Sequence, residues 1–252
     1  MDRRAVIMCL REKMRSGGTT VGSWMQIPHS SIAEIMGQAG YDWIAFDLEH
    51  GAISVHQLPD LCRAVELGGT LPLVRLAQGF PKECKQALDA GAGGVIVPMI
   101  SDARHLIAVR DACRWPPAGS RGVGFSRANL FGKNFERYGH EAQAPLLVAM
   151  IEGQSAIANL PAILSVEGLD AILIGPYDLS ASMGMTAQFE SPAFLSAIGD
   201  ILASAERSGI PCGVHVVMPS DEALKKALKD GYRFIAYGID ALFLMHGAKR
   251  CD

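Results

Sequence analysis

"YDWIAFDLEHGA", residues 41–52, sets a buried-looking strand directly against a cluster of charge. Trp43, Ile44, Ala45 and Phe46 form an unbroken apolar run; Asp47, Glu49 and His50 follow at once, and Gly51 ends the run. A short apolar run without polar alternation fits a strand covered on both faces, as in a parallel sheet. The same pattern recurs in "TVGSWMQ" (20–26), "LPLVRL" (71–76), "GVIVPM" (94–99), "LLVAMIE" (146–152), "DAILIG" (170–175), "PCGVHVV" (211–217) and "RFIAYG" (233–238), which with 42–47 makes eight strands.

Helical patterns fall between them. In "SDEALKKALKDG" (220–231), Ser220 can cap the helix, Asp221 and Glu222 occupy its first turn, and Gly231 stops it. Ala223, Leu224, Ala227 and Leu228 give it one apolar stripe. Segments 30–40, 54–69, 81–91 and 101–115 follow the same plan, and the N-terminal stretch reads as a first helix ending at Gly17-Gly18. Eight β-then-α units predict a (β/α)8 barrel, one domain spanning residues 1–252. An open doubly wound sheet would ordinarily carry a G-x-G-x-x-G turn after an early strand, and none follows one here. Residues 115–145 are read as a long irregular segment, the kind that is usually functional or mobile.

Composition narrows the function. The 252 residues are 49% apolar and 19% charged, enough for a large core, and the net charge of −3 includes no basic block for nucleic acid or a membrane surface. No apolar run of about 18 residues marks a transmembrane helix. The N-terminus lacks the pattern of a signal peptide. Cys9, Cys62, Cys84, Cys113, Cys212 and Cys251 are scattered and form no C-x-x-C pair, which points to reduced packing residues in a cytoplasmic protein.

In barrels of this kind the chemistry sits at the C-terminal ends of the strands. Those ends carry Gln26 and the nearby His29, then Asp47, Glu49 and His50, then Arg75, Glu152, and, through "GPYDLSASMG", Asp178 and Ser180, with His215 on the seventh strand. Singly, each has an ordinary reading as well. Glu152 can start a helix, His215 can be a hydrogen-bonded core residue, and Arg75 can be a structural ion pair. Together they form a polar set aimed at one face. Two carboxylates on neighbouring strands can hold a hard divalent cation with substrate oxygens and water completing its shell, and Glu152 and Asp178 suit that task. A 2-oxo acid chelates such an ion, which then stabilises an enolate. Arg75 could donate to the same oxygen, His50 could move protons, and Asp47 could orient the imidazole. Imine chemistry needs a strand lysine. Lys13, Lys82, Lys85, Lys133, Lys225, Lys226, Lys229 and Lys249 all lie in helix-like or loop segments.

The ordered motifs "GSWMQIP", "GYDWIAFDLEHG", "PLVRL", "LDAGAGGVIVPM", "PPAGSRGVG", "IEG", "VEGLDAILIGPYDLSASMG" and "YGIDALFL" run over nearly the whole chain. In them the chain resembles the HpcH/HpaI-type metal-dependent (class II) pyruvate aldolases, which include 4-hydroxy-2-oxoheptanedioate and 2-dehydro-3-deoxyglucarate aldolases. The resemblance implies an aldehyde-lyase that reversibly cleaves 4-hydroxy-2-oxo acids to pyruvate and an aldehyde. It places a divalent ion (Mg2+, or Mn2+ or Co2+) on Glu152 and Asp178, the catalytic His on His50 beside Asp47, and the pyruvyl-contacting Arg on Arg75. It also implies that Asp89 reaches a neighbouring subunit's site, and that the backbone of Gly175, Pro176 and Tyr177 receives the substrate carboxylate, with Ser180 close by. "RGVGFSRANLFG" is similar to the sugar-acid branch, so Arg121 and Arg127 are expected at a distal substrate group, and the 115–145 segment and the subunit interface are expected to select the aldehyde. The resemblance further implies a homohexamer, a trimer of dimers, with the last helix, in "DALFLMHGAKR", exchanged between partners.

Two positions depart from the heptanedioate aldolases: Met150 replaces a Gln, and His215 replaces an apolar residue and joins the substrate-binding candidates. Other readings of the same set are a CoA-ester lyase or decarboxylase sharing the enolate, and a catalytically silent metabolite-binding barrel.

Overall fold

The computed structural model describes residues 1–249. Eight strands, β1 (Thr20–Met25), β2 (Trp43–Asp47), β3 (Leu71–Arg75), β4 (Gly94–Val97), β5 (Leu146–Ile151), β6 (Ala171–Ile174), β7 (Cys212–Val216) and β8 (Phe234–Ile239), pair in parallel and in sequence order. β1 closes on β8, so the sheet is a barrel with no free edge. All eight predicted strands are present. Their observed ends lie within a residue or two of the predicted ones, because flanking Gly, Pro and Asp residues turn the chain out of the ladder.

The helices are α1 (Arg3–Arg15), α2 (Ser30–Gly37), α3 (Leu58–Leu67), α4 (Pro81–Ala90), α5 (Ala103–Cys113), α6 (Phe135–Ala142), α7 (Gln154–Ala158), α8 (Leu160–Leu164), α9 (Pro176–Ser182), α10 (Pro192–Ser208), α11 (Asp221–Lys229) and α12 (Asp240–Gly247). The Ser220 side chain accepts from Ala223 N at 3.1 Å, the cap read from the sequence. Among the described residues, no helix is long and apolar enough to cross a membrane.

Helix α1 does not belong to the ring. Its Ile7, Leu10 and Met14 join the cluster that fills the barrel, with Trp43, Leu71 and Phe234. Arg11 and Lys13 tie it to Asp170 and Asp42, each just before a strand begins. Helix α1 therefore plugs the N-terminal end of the barrel, and burying each of those three side chains stabilises the closure by about 2 kcal/mol.

Strand periodicity positions the site. Trp43 and Ala45, Leu71 and Leu73, Val148 and Met150, and Ala171 and Leu173 all belong to the interior cluster. Side chains alternate along a strand, so the next inward positions at the C-terminal end are Asp47, Arg75, Glu152 and Gly175. His215 on β7 shares that parity, edge-on to the interior Trp24.

The 115–145 segment is less irregular than its composition suggests. It contains a 3-10 turn at Arg127–Gly132 and helix α6. It links α5, which runs down the outside of the barrel, to the start of β5, so it lies at the N-terminal end of its own barrel.

Candidate active site

Asp47 and Arg75 are register partners on β2 and β3. Arg75 Nε and Nη2 donate to the two Asp47 oxygens at 2.8 and 2.6 Å. Gln26 Nε2 donates to the same carboxylate at 2.8 Å, and the backbone N–H groups of Glu49 and His50 do so at 3.1 Å. Burial alone would raise the Asp47 pKa, but these donors, Arg75 foremost, hold it below its ordinary value. The guanidinium also lies 4.5 Å from the centre of the Trp24 ring, a desolvated cation–π contact worth about 2 kcal/mol. Arg75 is thus fixed in plane by Asp47 and in depth by Trp24.

This corrects one expectation. Asp47 does not orient the His50 imidazole, because Arg75, Gln26 and two backbone N–H groups use its oxygens. The His50 ring is largely exposed, and the acid nearest its Nε2 is Glu49 at 3.8 Å.

Glu49 Oε2 lies 3.1 Å from Arg75 Nη1, but at an angle that makes no hydrogen bond, so this buried oxygen has no hydrogen-bond partner. Burial, with Asp47 and Asp178 nearby, pushes the Glu49 pKa up to about 6. Glu152, at the end of β5, is only 2% exposed. Burial first, then Glu49 and Asp178, push its pKa up to about 7, even though the Met99 N–H donates to it. Met99 makes that contact from a left-handed backbone, φ +52°, a conformation costing about 1–3 kcal/mol outside glycine. Gly175 approaches from the other side: a Cβ there would sit 2.6 Å from Glu152 Oε2. Asp178 follows in the first turn of α9.

Glu49, Glu152 and Asp178 are therefore mutually repelling carboxylates, and one positive side chain, Arg75, acts on both Glu49 and Glu152. Among the described residues, no three or more His, Cys, Asp or Glu side chains converge as a ready ligand set. Two carboxylates with an unsatisfied third oxygen nearby suit a hard cation that keeps water or substrate oxygens in its shell.

The other predicted site residues separate. Pro176 and Tyr177 lie in the turn before Asp178, with Tyr177 half exposed and edge-on to Phe189. Ser180 is buried, donates to Tyr177 O at 2.8 Å and accepts from Ala187 N at 3.0 Å, so its hydroxyl braces its own turn instead of facing substrate. Arg127 sits at the opposite end of the barrel, on Glu66 with Arg3. Arg121 is buried against Trp115 and Tyr138, donating to Tyr138 Oη at 2.9 Å. Neither arginine can reach a distal group in its own subunit's site. Asp89 is half-buried near the end of α4, in the field of Arg121 and Lys85. Sequence reasoning missed Trp24 and the Met99 N–H. The inward parity of Trp24 could have revealed it; a backbone donor leaves no residue-type signal.

A family model described as HpcH/HpaI aldolase/citrate lyase matches residues 20–247. The chain belongs to that family. It is accordingly a carbon–carbon lyase, as the resemblance in its motifs implied. A hydroxypyruvate/pyruvate aldolase of Roseobacter denitrificans is 35% identical over 248 residues, 97% of this chain and 96% of the relative. A 4-hydroxy-2-oxovalerate aldolase of Novosphingobium aromaticivorans is 38% identical, covering 93% of this chain and 89% of the relative. Among solved structures, an HpcH/HpaI aldolase/citrate lyase family protein of Burkholderia cenocepacia superposes with a TM-score of 0.87 at 28% identity, covering 95% of each chain.

Proposed function

We propose that this HpcH/HpaI family member cleaves 4-hydroxy-2-oxo acids reversibly to pyruvate, or a close analogue, and an aldehyde. The observation that carries this reading is Glu152, buried within the field of Asp178 and Glu49, beside a guanidinium held in place by Asp47 and Trp24. Glu152 and Asp178 would hold Mg2+, Mn2+ or Co2+, which supplies a Lewis acid for the 2-oxo group. Arg75, held by Asp47, directs Nη1 at the same developing negative oxygen. In cleavage, a base removes the proton of the C4 hydroxyl, the C3–C4 bond breaks with its electrons moving into the C2 carbonyl, and the aldehyde leaves. Protonation of C3 then gives pyruvate. His50, open to solvent and beside Glu49, exchanges protons at the mouth of the site. Glu49 Oε2 is free to accept a hydrogen bond from a water or a substrate hydroxyl.

The protein acts in the cytoplasm on small 2-oxo acids and aldehydes, without nucleic acid or membrane partners. Free Cys9, Cys62, Cys84, Cys113 and Cys212 support this location; Cys251 lies outside the described residues. Assembly as a homohexamer, with α12 exchanged in each dimer, would cover the exposed Leu244 and Met245. It would also let Asp89, Arg121, Arg127 and the 115–145 segment serve a neighbour's site. The end of the "DALFLMHGAKR" tail, Arg250, lies outside the described residues.

The test is a retro-aldol assay with several hydroxy-oxo acids and Mg2+, Mn2+ or Co2+, coupled to pyruvate detection. Wild-type protein should release pyruvate only with the metal, and Glu152→Ala should not. Full activity of Glu152→Ala in metal-free buffer would overturn the mechanism, and cleavage confined to CoA esters would overturn the substrate class.

A further inference from the structure

His215 stands beside the reacting groups yet does none of the work assigned above. Its ring packs edge-on to Trp24, with centroids 5.9 Å apart, and the same indole carries the Arg75 guanidinium. Its Nε2 lies 3.2 Å from Gly238 O. A carbonyl only accepts, so Nε2 carries the proton. Burial, followed by the field of Arg75, pushes the pKa down to about 4, so the ring is neutral in the ordinary working range. A neutral ring protonated at Nε2 leaves Nδ1 as a bare lone pair. Among the described residues, nothing donates to Nδ1. His215 shares the inward parity of Asp47, Arg75 and Glu152, and it also edges a groove of about 610 Å3 that runs from Pro176 and Tyr177 along α10 to Lys226 and Asp230.

We propose that His215 Nδ1 is a hydrogen-bond acceptor for a substrate hydroxyl, so that the site favours hydroxylated reactants over their methyl isosteres. The proposal rests on the aldolase reading and adds the substrate class. The Gly238 carbonyl fixes the tautomer, and the tautomer fixes the polarity of the subsite. A hydroxyl has a proton to give Nδ1; a methyl group has none, and neither has a carboxylate, which the lone pair repels. The hydroxyl could belong to the aldehyde or to the oxo acid, and the chemistry at Nδ1 is the same for both.

The experiment uses the full chain with saturating Mg2+ and measures kcat/KM for aldol addition. In the aldehyde arm, pyruvate is paired with glycolaldehyde or with its isostere propanal. In the oxo-acid arm, propanal is paired with hydroxypyruvate or with its isostere 2-oxobutanoate. Each arm is read as the hydroxyl-to-methyl ratio in wild type divided by that in a variant, which cancels the reagents' intrinsic reactivity. His215→Leu should lower the ratio about fivefold in one arm, the worth of one neutral hydrogen bond, and that arm identifies which reactant carries the hydroxyl. His215→Gln, which can still donate to Gly238 O but lacks the δ acceptor, should lower it likewise and covers the case of a poorly folded Leu variant. His215→Asn, whose Oδ1 replaces the acceptor, should restore most of it. Ratios unchanged within twofold in both arms overturn the assignment alone, since activity would persist. Wild-type protein inactive on every pair overturns the aldolase reading and this assignment with it.

Discussion

Asp47 grips Arg75 through both carboxylate oxygens, at 2.8 and 2.6 Å, with the Asp47 side chain wholly removed from solvent. Removing one partner of a buried pair leaves the other charge uncompensated, which costs about 3–5 kcal/mol. Asp47→Asn keeps the shape and loses the charge, so urea denaturation should show a loss near the lower end of that range. Retro-aldol kcat should fall with it, because Arg75 loses its fixed plane. The pH dependence follows in sign. Asp47 has its pKa held below the ordinary 3.8, so its stabilisation is complete above that value and fades as the pH falls further. A variant as stable and as active as wild type would mean that Asp47 does not position Arg75.

Glu152 and Glu49 behave in the opposite sense. Both have pKa values raised from 4.5, Glu152 to about 7 and Glu49 to about 6, with burial the leading cause in each. Between the ordinary and the raised values, the folded protein binds more protons than the unfolded chain. The combined contribution of Glu152 and Glu49 to metal-free stability therefore declines as the pH rises from about 5 to 8, offset in part below about pH 6.5 by His215, whose lowered pKa acts in the opposite sense. A divalent ion on the same carboxylates should reverse that decline and release protons on binding. Thermal melting of chelator-treated protein at pH 5 and pH 8, with and without Mg2+, measures both effects. A melting temperature that is flat with pH and indifferent to metal would count against a cation at Glu152 and Asp178.

Gly175 sets how closely the β6 turn approaches Glu152. Its backbone, φ −95°, is open to any residue, so Gly175→Ala should fold. The new Cβ would lie 2.6 Å from Glu152 Oε2 and 3.1 Å from Glu152 Cβ, forcing the carboxylate to turn. Mg2+ affinity, followed by calorimetry, should weaken at least about tenfold, the lower end of what a disturbed ligand environment costs. The melting temperature of the metal-free protein should change little. Unchanged affinity would show that Glu152 can reorient without losing the ion.

The barrel was legible because its strands are short apolar runs separated by capped helices, and that periodicity survives without tertiary information. Their place at the C-terminal ends of parallel strands also carried Asp47, Arg75 and Glu152 to one end. What sequence could not supply was partner choice. Asp47 is three residues from His50, yet its oxygens turn to Arg75, which is 28 residues away but adjacent in register. Likewise, Ser180 looks like a site hydroxyl until its two local hydrogen bonds are seen. Arginines in a long loop suggest substrate contact, but the loop's place in the barrel follows from connectivity. It begins after a helix and ends before a strand, which puts it at the end away from the chemistry.

That placement makes Arg127 a direct test of the two roles. Its guanidinium is paired with Glu66, itself paired with Arg3 of α1, and Arg127 Nη1 also approaches Ala90 O at 3.5 Å. The network joins the last turn of α3 to the helix that plugs the barrel. Arg127→Ala would leave Glu66 with Arg3 alone and open a gap beside Gly91, where the Arg127 side chain now packs. A stability loss of about 1–3 kcal/mol is expected, the cost of an under-satisfied buried polar group. If the side chain only braces its own subunit, KM for the aldehyde should stay within twofold of wild type while urea resistance falls. If it also serves a neighbouring subunit's site, KM should rise for aldehydes bearing a distal anion and stay level for uncharged ones. Steady-state kinetics with succinic semialdehyde and propanal, beside a denaturation curve of the same preparation, separates the two.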